Sequence, residues 1–414
     1  MQTTALEARH TFSKYQIFVI AILAFIQFTV ILDFMVLAPL SAILLPALHI
    51  TPSQFSIVVS SYAFSAGISG LFAAGFADRY DRKKMLMFFY AGFVLGTFLC
   101  GIAPTYFFLL GARIVTGMFG GVIASVCFAI VTDLFEMEKR GRVMGFLQMG
   151  FAGSQVLGLP IGLYLATHFG WHAPFLMIVA ISVVVGVIVL VYLQPISDHL
   201  KVKSDKNALQ HLFKTVSNSG YLKAFAATSL LATGGFMLMP FGSVFAVHNL
   251  GLTMEQLPML YLVTGVFSMV AGPLAGRFSD KIGKFSMFLI GSIITLIMVT
   301  IYCNLGTTPI WLVLLINIIL FAGILSRIIP ASALMTAIPE TKDRGAFMSV
   351  NSSVQQISGG IAAALAGLIV VQSPAGMLER YDILGYVVAG SIVISVLMMY
   401  NINNHVKQKM KVVK

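Results

Sequence analysis

Long apolar runs, separated by short polar breaks, follow one another along the whole of this chain. The first extends from Tyr15 to Leu32 without a single Lys, Arg, Asp or Glu, which is long enough for a helix that spans a bilayer. Twelve such runs occur, and each predicts one membrane-spanning helix. The predicted helices of the first half cover approximately residues 16–40, 53–77, 85–103, 106–133, 143–166 and 174–194. Those of the second half cover approximately residues 222–247, 257–276, 286–304, 309–336, 346–370 and 382–401.

The composition agrees with this pattern. Hydrophobic residues make up 58% of the chain and charged residues only 10%, whereas a soluble globular domain carries about 25% charged residues. The sequence therefore predicts an all-α membrane protein with twelve transmembrane helices.

The basic residues are distributed unevenly between the two sides of the predicted membrane. If the N-terminus is cytoplasmic, all but three of the 26 Lys and Arg residues fall on cytoplasmic segments, the exceptions being Arg113, Arg327 and Arg380. Positive charge of this kind marks the cytoplasmic side, so we expect a multi-pass protein of a bacterial-type cytoplasmic (inner) membrane with both termini cytoplasmic. The expected partners are a small-molecule substrate and membrane lipid. Nucleic acid is not expected, because the basic residues are scattered among the cytoplasmic segments. A functional monomer is expected.

Two similar charged patches indicate an internal duplication. They cover residues 74–84 and 276–284, and their aspartates, Asp78 and Asp280, lie 202 residues apart in a chain of 414 (280 minus 78). Six helices in each half give both copies the same orientation, as in parallel repeats related by an axis along the membrane normal. The predicted organisation is an N-terminal six-helix bundle at 1–196, a cytoplasmic linker at 197–221, a C-terminal six-helix bundle at 222–401 and a basic cytoplasmic tail at 402–414.

The first patch carries a family resemblance. Asp78, Arg79, Arg82 and Lys83 match the pattern G-x-L-a-D-R-x-G-R-K, although Ala74 and Asp81 stand in place of its two glycines. Helix four contains Arg-Ile-Val-Thr-Gly at 113–117, similar to a second pattern of the same family, R-x-x-q-G. On these motifs the chain resembles the major facilitator superfamily, most closely its twelve-helix drug:proton antiporter and arabinose-efflux-like permease branch.

The resemblance implies the fold of that superfamily, two pseudo-symmetric six-helix bundles that work by alternating access. It further implies proton-coupled efflux of a small amphiphilic molecule, a drug-like compound or a metabolite. The alternative is a facilitator or proton symporter for a sugar-like or anionic metabolite, with Arg113 or Arg327 binding the substrate. No enzyme activity is expected, because no phosphate-binding loop and no G-x-S-x-G or H-E-x-x-H element is present.

Asp33 is the candidate for proton coupling. An ionisable side chain within a membrane helix faces the bundle interior or a watery cavity, since exposure to lipid is unfavourable. Asp33 lies about 7 Å outward of the middle of helix one, and Arg113 about 9 Å outward of the middle of helix four, at ~1.5 Å per residue. The two are therefore predicted to pair. Burial raises the proton affinity of a carboxyl group and a nearby guanidinium lowers it, so a change in water access would change how readily Asp33 binds a proton. The alternative is that Asp33 and Arg113 form a purely structural salt bridge.

A second group of charged residues is predicted to form a conformational latch. The resemblance implies that Asp78 contacts the positive N-terminal end of helix eleven, near residues 345–349, and so holds the cytoplasmic side shut. The other members of the predicted latch are Arg79, Arg82, Asp133, Arg140 and Asp280. The alternative is that these residues are solvated markers of topology, which is the favoured interpretation for Lys83 and Lys84.

The substrate cavity is expected to have adaptable apolar walls with a few polar groups at membrane depth. The candidate lining residues are Gln27, Phe34, Arg113, Gln148, Phe236, Met237, Phe241, Asn317, Arg327, Asn351 and Gln355. For Arg327 the open alternatives are an anionic substrate group, the carbonyls near Pro330, or snorkelling toward the cytoplasm. No metal and no cofactor is expected, apart from protons as the coupling ion, because none of the eight histidines lies deep in a helix.

Overall fold

The long apolar runs fold into helices, because a helix satisfies its own backbone hydrogen bonds in lipid. The computed structural model describes residues 12–73, 80–197, 200, 215–339 and 344–412. Twelve helices of this described part are long and apolar enough to cross a membrane. Those of the first half are α1 (Lys14–Val36, continued as Ser41–Leu48), α2 (Pro52–Ala73), α3 (Arg82–Gly101), α4 (Tyr106–Leu134), α5 (Met137–Gly153, a π-helical turn Ser154–Gly158, and Leu159–Phe169) and α6 (Ala173–Tyr192). Those of the second half are α7 (Ser219–Leu238, a 3-10 turn Met239–Phe241, and Gly242–His248), α8 (Leu257–Ile282), α9 (Lys284–Cys303), α10 (Ile310–Thr336), α11 (Arg344–Ile369) and α12 (Tyr381–Val412).

Polar side chains fix several of the helix starts. Ser13 and Gln16 form a reciprocal capping box at the start of α1, with the Gln16 amide donating to Ser13 Oγ at 3.1 Å. Asp81 caps α3, since its Oδ1 accepts the backbone N–H of Lys84 at 2.9 Å. These contacts place the start of α3 within the predicted charged patch.

Two predicted boundaries are wrong. The second patch at 276–284 does not form a loop, because α8 continues to Ile282 and the chain turns at the single residue Gly283, whose φ of 97° suits glycine. The last helix does not stop at residue 401. It continues to Val412, so the predicted tail is helical as far as it is described. Hydropathy marks where lipid ends, whereas lysine and glutamine are good helix formers beyond that point.

Helices α1 and α7 share an interruption. Helix α1 is broken over residues 37–40, which include Pro39, and α7 makes its 3-10 turn at Pro240. Proline has no backbone N–H and therefore breaks the helical hydrogen-bond ladder. Because each break begins one residue after a Phe-Met pair, at 34–35 and at 236–237, the backbone repeats the duplication that the sequence shows.

The packing of the helices repeats as well. Helix α1 packs on α5 and α6, as α7 packs on α11 and α12; helix α4 packs on α2 and α3, as α10 packs on α8 and α9. The chain thus forms two pseudo-symmetric six-helix bundles. A short two-stranded hairpin, β1 (Val371–Gln372) and β2 (Leu378–Glu379), joins α11 to α12 and was not predicted.

The bundles meet mainly through two pairs of helices, α2 with α11 and α5 with α8, and in addition α1 and α2 touch α7 near its 3-10 turn. Helix α2 follows α11 over most of its length, with Gly367 beside Ser56 at one end and Gly70 beside Ser353 at the other. We call the end of the molecule where α3 begins and α4 ends, rich in Lys and Arg, the basic end. Helix α5 meets α8 mainly through its π-helical turn and the segment after it. The two helices therefore diverge toward the basic end.

Candidate functional site

Asp33 and Arg113 form an ion pair in the interior of the first bundle. Arg113 Nη1, from α4, donates to Asp33 Oδ2 on α1 at 2.8 Å and also lies 3.3 Å from the Asp33 backbone oxygen. The side chain of Asp33 is 0% exposed and that of Arg113 is 1% exposed. The predicted pairing of these two residues is therefore present in the structure, away from any lipid-facing surface.

Two further helices complete the surroundings of the pair. Thr97 on α3 donates its hydroxyl to Asp33 Oδ1 at 3.0 Å, so that both carboxylate oxygens accept a hydrogen bond. The ring of Tyr62 on α2 lies 4.4 Å from the guanidinium carbon of Arg113, which is a cation–π geometry. Sequence reasoning missed Thr97 and Tyr62. The only signal was their polar character within otherwise apolar runs.

Glycines let the helices approach closely around the ion pair. A Cβ at Gly96 of α3 would lie 2.6 Å from Thr116 Oγ1 on α4, and one at Gly117 would overlap the backbone of Tyr62. Within the described structure Arg113 Nε has no hydrogen-bond partner. A fully buried ion pair is held only if its geometry is good, since both charges have lost their hydration. Any change in the hydration of this site alters how favourable the charged forms of Asp33 and Arg113 are.

The second bundle lacks this charge pair. By the alignment of the two halves, Gly235 stands opposite Asp33 and Asn317 opposite Arg113. Asn317 is buried and its Nδ2 donates to the carbonyl of Val313 in its own helix, at 2.9 Å. Among the described residues, the charged site thus belongs to the first bundle alone.

An aromatic contact connects the site to the second bundle. The ring of Phe34, next to Asp33 in α1, lies 5.3 Å from that of Tyr62 and 5.8 Å from that of Phe236 on α7. Phe236 in turn packs against Gly359 of α11, where an added Cβ would lie 2.6 Å from its ring. Phe34 and Phe236 occupy equivalent positions in the two halves, so this contact lies on the line where the bundles meet.

The other cavity candidates are scattered. Gln27, Met237 and Phe241 are buried, and Gln27 Nε2 has no hydrogen-bond partner in the described part of the chain. Gln148 and Gln355 are exposed. Asn351, which is partly buried, accepts the hydroxyl of Thr228 at 2.6 Å and so connects α11 to α7. Among the predicted lining residues, Phe34, Phe236 and Arg113 are joined by direct contacts, with Tyr62 between Phe34 and Arg113.

Arg327 does not reach the contact between the bundles or the carbonyls near Pro330. Its Nε donates to Ser292 Oγ on α9 at 3.1 Å and its Nη2 to Ser395 Oγ on α12 at 2.9 Å. The guanidinium carbon also lies 5.7 Å from the ring of Phe288. The rotation of α10 about its axis directs this side chain toward the outer helices of the second bundle. The expectation of a cavity position was wrong for Arg327.

The predicted latch is only partly described. Asp78 and Arg79 lie outside the described residues. Arg82 is buried and forms an ion pair with Asp133 at 2.9 Å, which ties the start of α3 to the end of α4.

The last two latch candidates make local contacts. Arg140 donates to the carbonyls of Phe135 at 2.9 Å and Thr132 at 2.6 Å, and so caps α4. Asp280 is exposed and pairs with Lys284 across the Gly283 turn. Among the described residues it makes no ion pair across the bundles, and its partner Lys284 belongs to its own bundle.

Comparisons with known proteins agree with this architecture. The family model of the Major Facilitator Superfamily matches residues 23–363 and 224–408. The chain is 30% identical over 271 residues to the uncharacterised MFS-type transporter YceJ of Bacillus subtilis (strain 168), covering 65% of this chain and 68% of that protein. It is 24% identical over 368 residues to the bicyclomycin resistance protein homolog of Haemophilus influenzae, covering 85% and 88% of the two chains.

A solved structure shares the fold. The bacterial homolog of the human lysosomal transporter Spinster, in an inward-facing and occupied conformation, superimposes with a TM-score of 0.70 at 15% identity, covering 97% of this chain and 98% of that one. Together with twelve membrane-crossing helices in two similar bundles, these matches establish a transporter rather than an enzyme. The chain belongs to the Major Facilitator Superfamily.

Proposed function

We propose that this transporter exports a small amphiphilic molecule, a drug-like compound or a metabolite, in exchange for protons. The observation that carries the proposal is the Asp33–Arg113 ion pair, at 2.8 Å and fully buried in the first bundle, with no counterpart in the second bundle among the described residues. A proton-binding carboxylate in a membrane interior is a functional site by default, because a purely structural role there can be filled by uncharged residues.

The orientation is part of the proposal. Positive charge favours the cytoplasmic side, so the basic end is taken as cytoplasmic, with both termini on that side of an inner membrane. Helices α5 and α8 diverge toward this end, where a Cβ at Gly145 or Gly276 would meet nothing within 4 Å. In this orientation the gap between α5 and α8 opens toward the cytoplasm.

The ion pair gives a route from protonation to movement. In the charged form, Asp33 accepts hydrogen bonds from Arg113 and Thr97. A proton on Oδ2 faces the N–H of Arg113, so protonation removes the attraction and frees the guanidinium. Arg113 rests on Tyr62, whose ring touches Phe34, and Phe34 touches Phe236 of the other bundle. Protonation at Asp33 thereby changes a contact on which the two bundles pivot.

We also propose that the charged residues at the basic end act as a conformational latch. We expect Asp78 and Arg79 to act with the Arg82–Asp133 pair at the basic end, against the start of α11. The support is that Arg82 already fixes the start of α3, only four residues beyond Asp78, to the end of α4.

The direction and substrate class rest on two observations. A relative that covers most of the chain is a bicyclomycin resistance protein homolog, and the central cluster has aromatic walls of the kind that accept apolar molecules. The symporter alternative relied on Arg113 or Arg327 to bind an anionic substrate. Arg113 is neutralised by Asp33 and Arg327 is directed to Ser292 and Ser395, which favours the exporter.

The experiment is transport driven by a pH gradient in proteoliposomes. A thermal-shift screen of amphiphilic compounds on purified wild-type protein and Asp33→Asn first identifies a ligand. An imposed proton gradient directed toward the basic end is then expected to drive that ligand out of the compartment on that side. Asp33→Asn is expected to retain exchange of labelled for unlabelled ligand and to lose gradient-driven transport. The matched control is Glu255→Gln, which removes an exposed carboxyl group in the turn just before α8, at the end of the molecule away from the basic end. Gradient-driven transport by Asp33→Asn at the wild-type rate contradicts the proposal.

A further inference from the structure

A groove runs between α3 and α6 on the outside of the first bundle. Its volume is about 480 Å³. Its floor is formed by Tyr90 and by Gly186, where an added Cβ would lie 3.7 Å from the Tyr90 ring. Its rims are apolar and open, with Leu95 55% exposed and Leu190 58% exposed. In a membrane this groove faces lipid, so its occupant is taken from the bilayer.

The groove has the length and direction of a lipid chain. Its α3 wall extends from Met87 to Phe98, eleven residues or about 16 Å along the helix axis. One leaflet of the hydrocarbon core is about 15 Å thick. Both walls are helices that cross the membrane, so the groove lies along the membrane normal. An acyl chain fits these dimensions in an extended form.

A lysine marks one end of the groove. Lys83 Nζ donates to the backbone carbonyl of Leu190, a residue of the groove wall, at 2.9 Å. An ammonium group has three N–H donors, and the other two have no partner within the described residues. Lys84 is next to it and exposed. Lys83 lies four residues, or about 6 Å, beyond the groove's end at Met87, which is the distance from the hydrocarbon to the headgroup region.

We propose that this groove is a binding site for one anionic phospholipid of the leaflet at the basic end. One acyl chain lies against Tyr90 and Gly186, and the phosphate accepts hydrogen bonds from Lys83. Lys84 adds a second positive charge at the headgroup. Tyr192, exposed at the same end of α6, stands where aromatic side chains contact the headgroup level. Lipid binding here joins α3 to α6 within the first bundle.

The test measures lipid binding to the purified full-length protein by native mass spectrometry. The probes are dioleoyl phosphatidylglycerol, dioleoyl phosphatidylcholine and sn-glycerol 3-phosphate. Phosphatidylglycerol is expected to bind at least tenfold more tightly than either of the others, because it alone combines the acyl chain with a net negative headgroup. Equal binding of the two phospholipids overturns the proposal, and so does binding of glycerol phosphate as tight as that of the lipid.

Two variants locate the site. Lys83→Gln combined with Lys84→Gln is expected to weaken phosphatidylglycerol binding about tenfold, since each lysine near a headgroup contributes about fivefold and the two overlap. Its control is Lys281→Gln, an exposed lysine of α8 at the same end. If Lys281→Gln weakens phosphatidylglycerol binding as much as the double variant does, Lys83 is not part of the binding site.

Ala91→Phe fills the groove and is expected to abolish the preference for phosphatidylglycerol. Ala180→Phe, on the exposed face of α6 beside the groove, is its matched control. Gly186→Leu gives an independent block if Ala91→Phe is not monodisperse on size exclusion. Unchanged lipid preference in the folded blocking variant contradicts the proposal.

Discussion

Neutralising Asp33 alone, by Asp33→Asn, leaves the guanidinium of Arg113 buried without a counter-ion. Removing one partner of a buried ion pair costs about 3–5 kcal/mol, because the remaining charge has lost its hydration and gained nothing in return. The asparagine keeps the shape of the side chain and can still accept a hydrogen bond from Thr97, so the loss of stability measures the contribution of the negative charge. Arg113→Gln is expected to be destabilising for the same reason, now with an unpaired carboxyl group.

The double variant Asp33→Asn with Arg113→Gln carries no buried charge. Its destabilisation is expected to be smaller than the sum of the two single losses by at least ~2 kcal/mol, within the range measured for close charge pairs. The assay is reversible unfolding in mixed micelles, followed by the loss of helical circular dichroism, for the wild type, both single variants and the double variant.

An exposed ion pair in the same molecule provides the control cycle. Asp280 and Lys284 also form an ion pair, but Asp280 is exposed and the pair is only four residues apart. Such pairs contribute about 0.2–1 kcal/mol, so the cycle of Asp280→Asn and Lys284→Gln is expected to show coupling below ~1 kcal/mol. Additive losses at Asp33 and Arg113, or coupling no larger than in the control, would refute the electrostatic account of the buried site.

Two further predictions concern packing and the second internal arginine. Gly121→Ala is expected to destabilise the protein by about 1–3 kcal/mol, since an added Cβ overlaps the backbone of Ala66 on α2; Gly111→Ala, with nothing within 4 Å, is expected to be neutral or slightly stabilising in the same unfolding assay. Arg327→Met is expected to unfold at a temperature no lower than the wild type, because Arg327 has no carboxylate partner among the described residues and methionine fills a similar volume. Ser395→Ala, which removes an acceptor of the buried guanidinium, is expected to lower that temperature. A marked loss of stability in Arg327→Met would show that the hydroxyl contacts more than offset the burial of the charge.

The architecture was predictable because lipid leaves the backbone few choices. A span without water must satisfy its own hydrogen bonds, so twelve apolar runs give twelve helices and six per half give two parallel copies. The ends of the helices were less predictable. Charged residues at 276–282 continue α8 instead of ending it, because charge is compatible with a helix that leaves the membrane. The turn itself is set by Gly283.

The sequence predicted how deep in the membrane the charged residues lie, but not the direction in which each side chain points. Counting residues along α1 and α4 gives the height of Asp33 and Arg113 in the membrane, and charge gives their pairing. The same count gives the height of Arg327 but not its rotation about α10, which packing against α9 and α12 decides. Thr97 and Tyr62 were missed for the same reason, since many polar residues share their depth and only tertiary packing selects those that face the ion pair.

The measurement that tests the central claim most directly is proton release when a transported ligand binds. Purified protein in a weakly buffered detergent solution is mixed with saturating ligand, and a pH indicator reports the protons released. If Asp33 exchanges its proton for the ligand, the wild type releases protons on binding and Asp33→Asn, at equal ligand occupancy, releases none. The account would be contradicted if the wild type and Asp33→Asn released equal numbers of protons. It would also be contradicted if the wild type released no protons at any pH at which it transports the ligand.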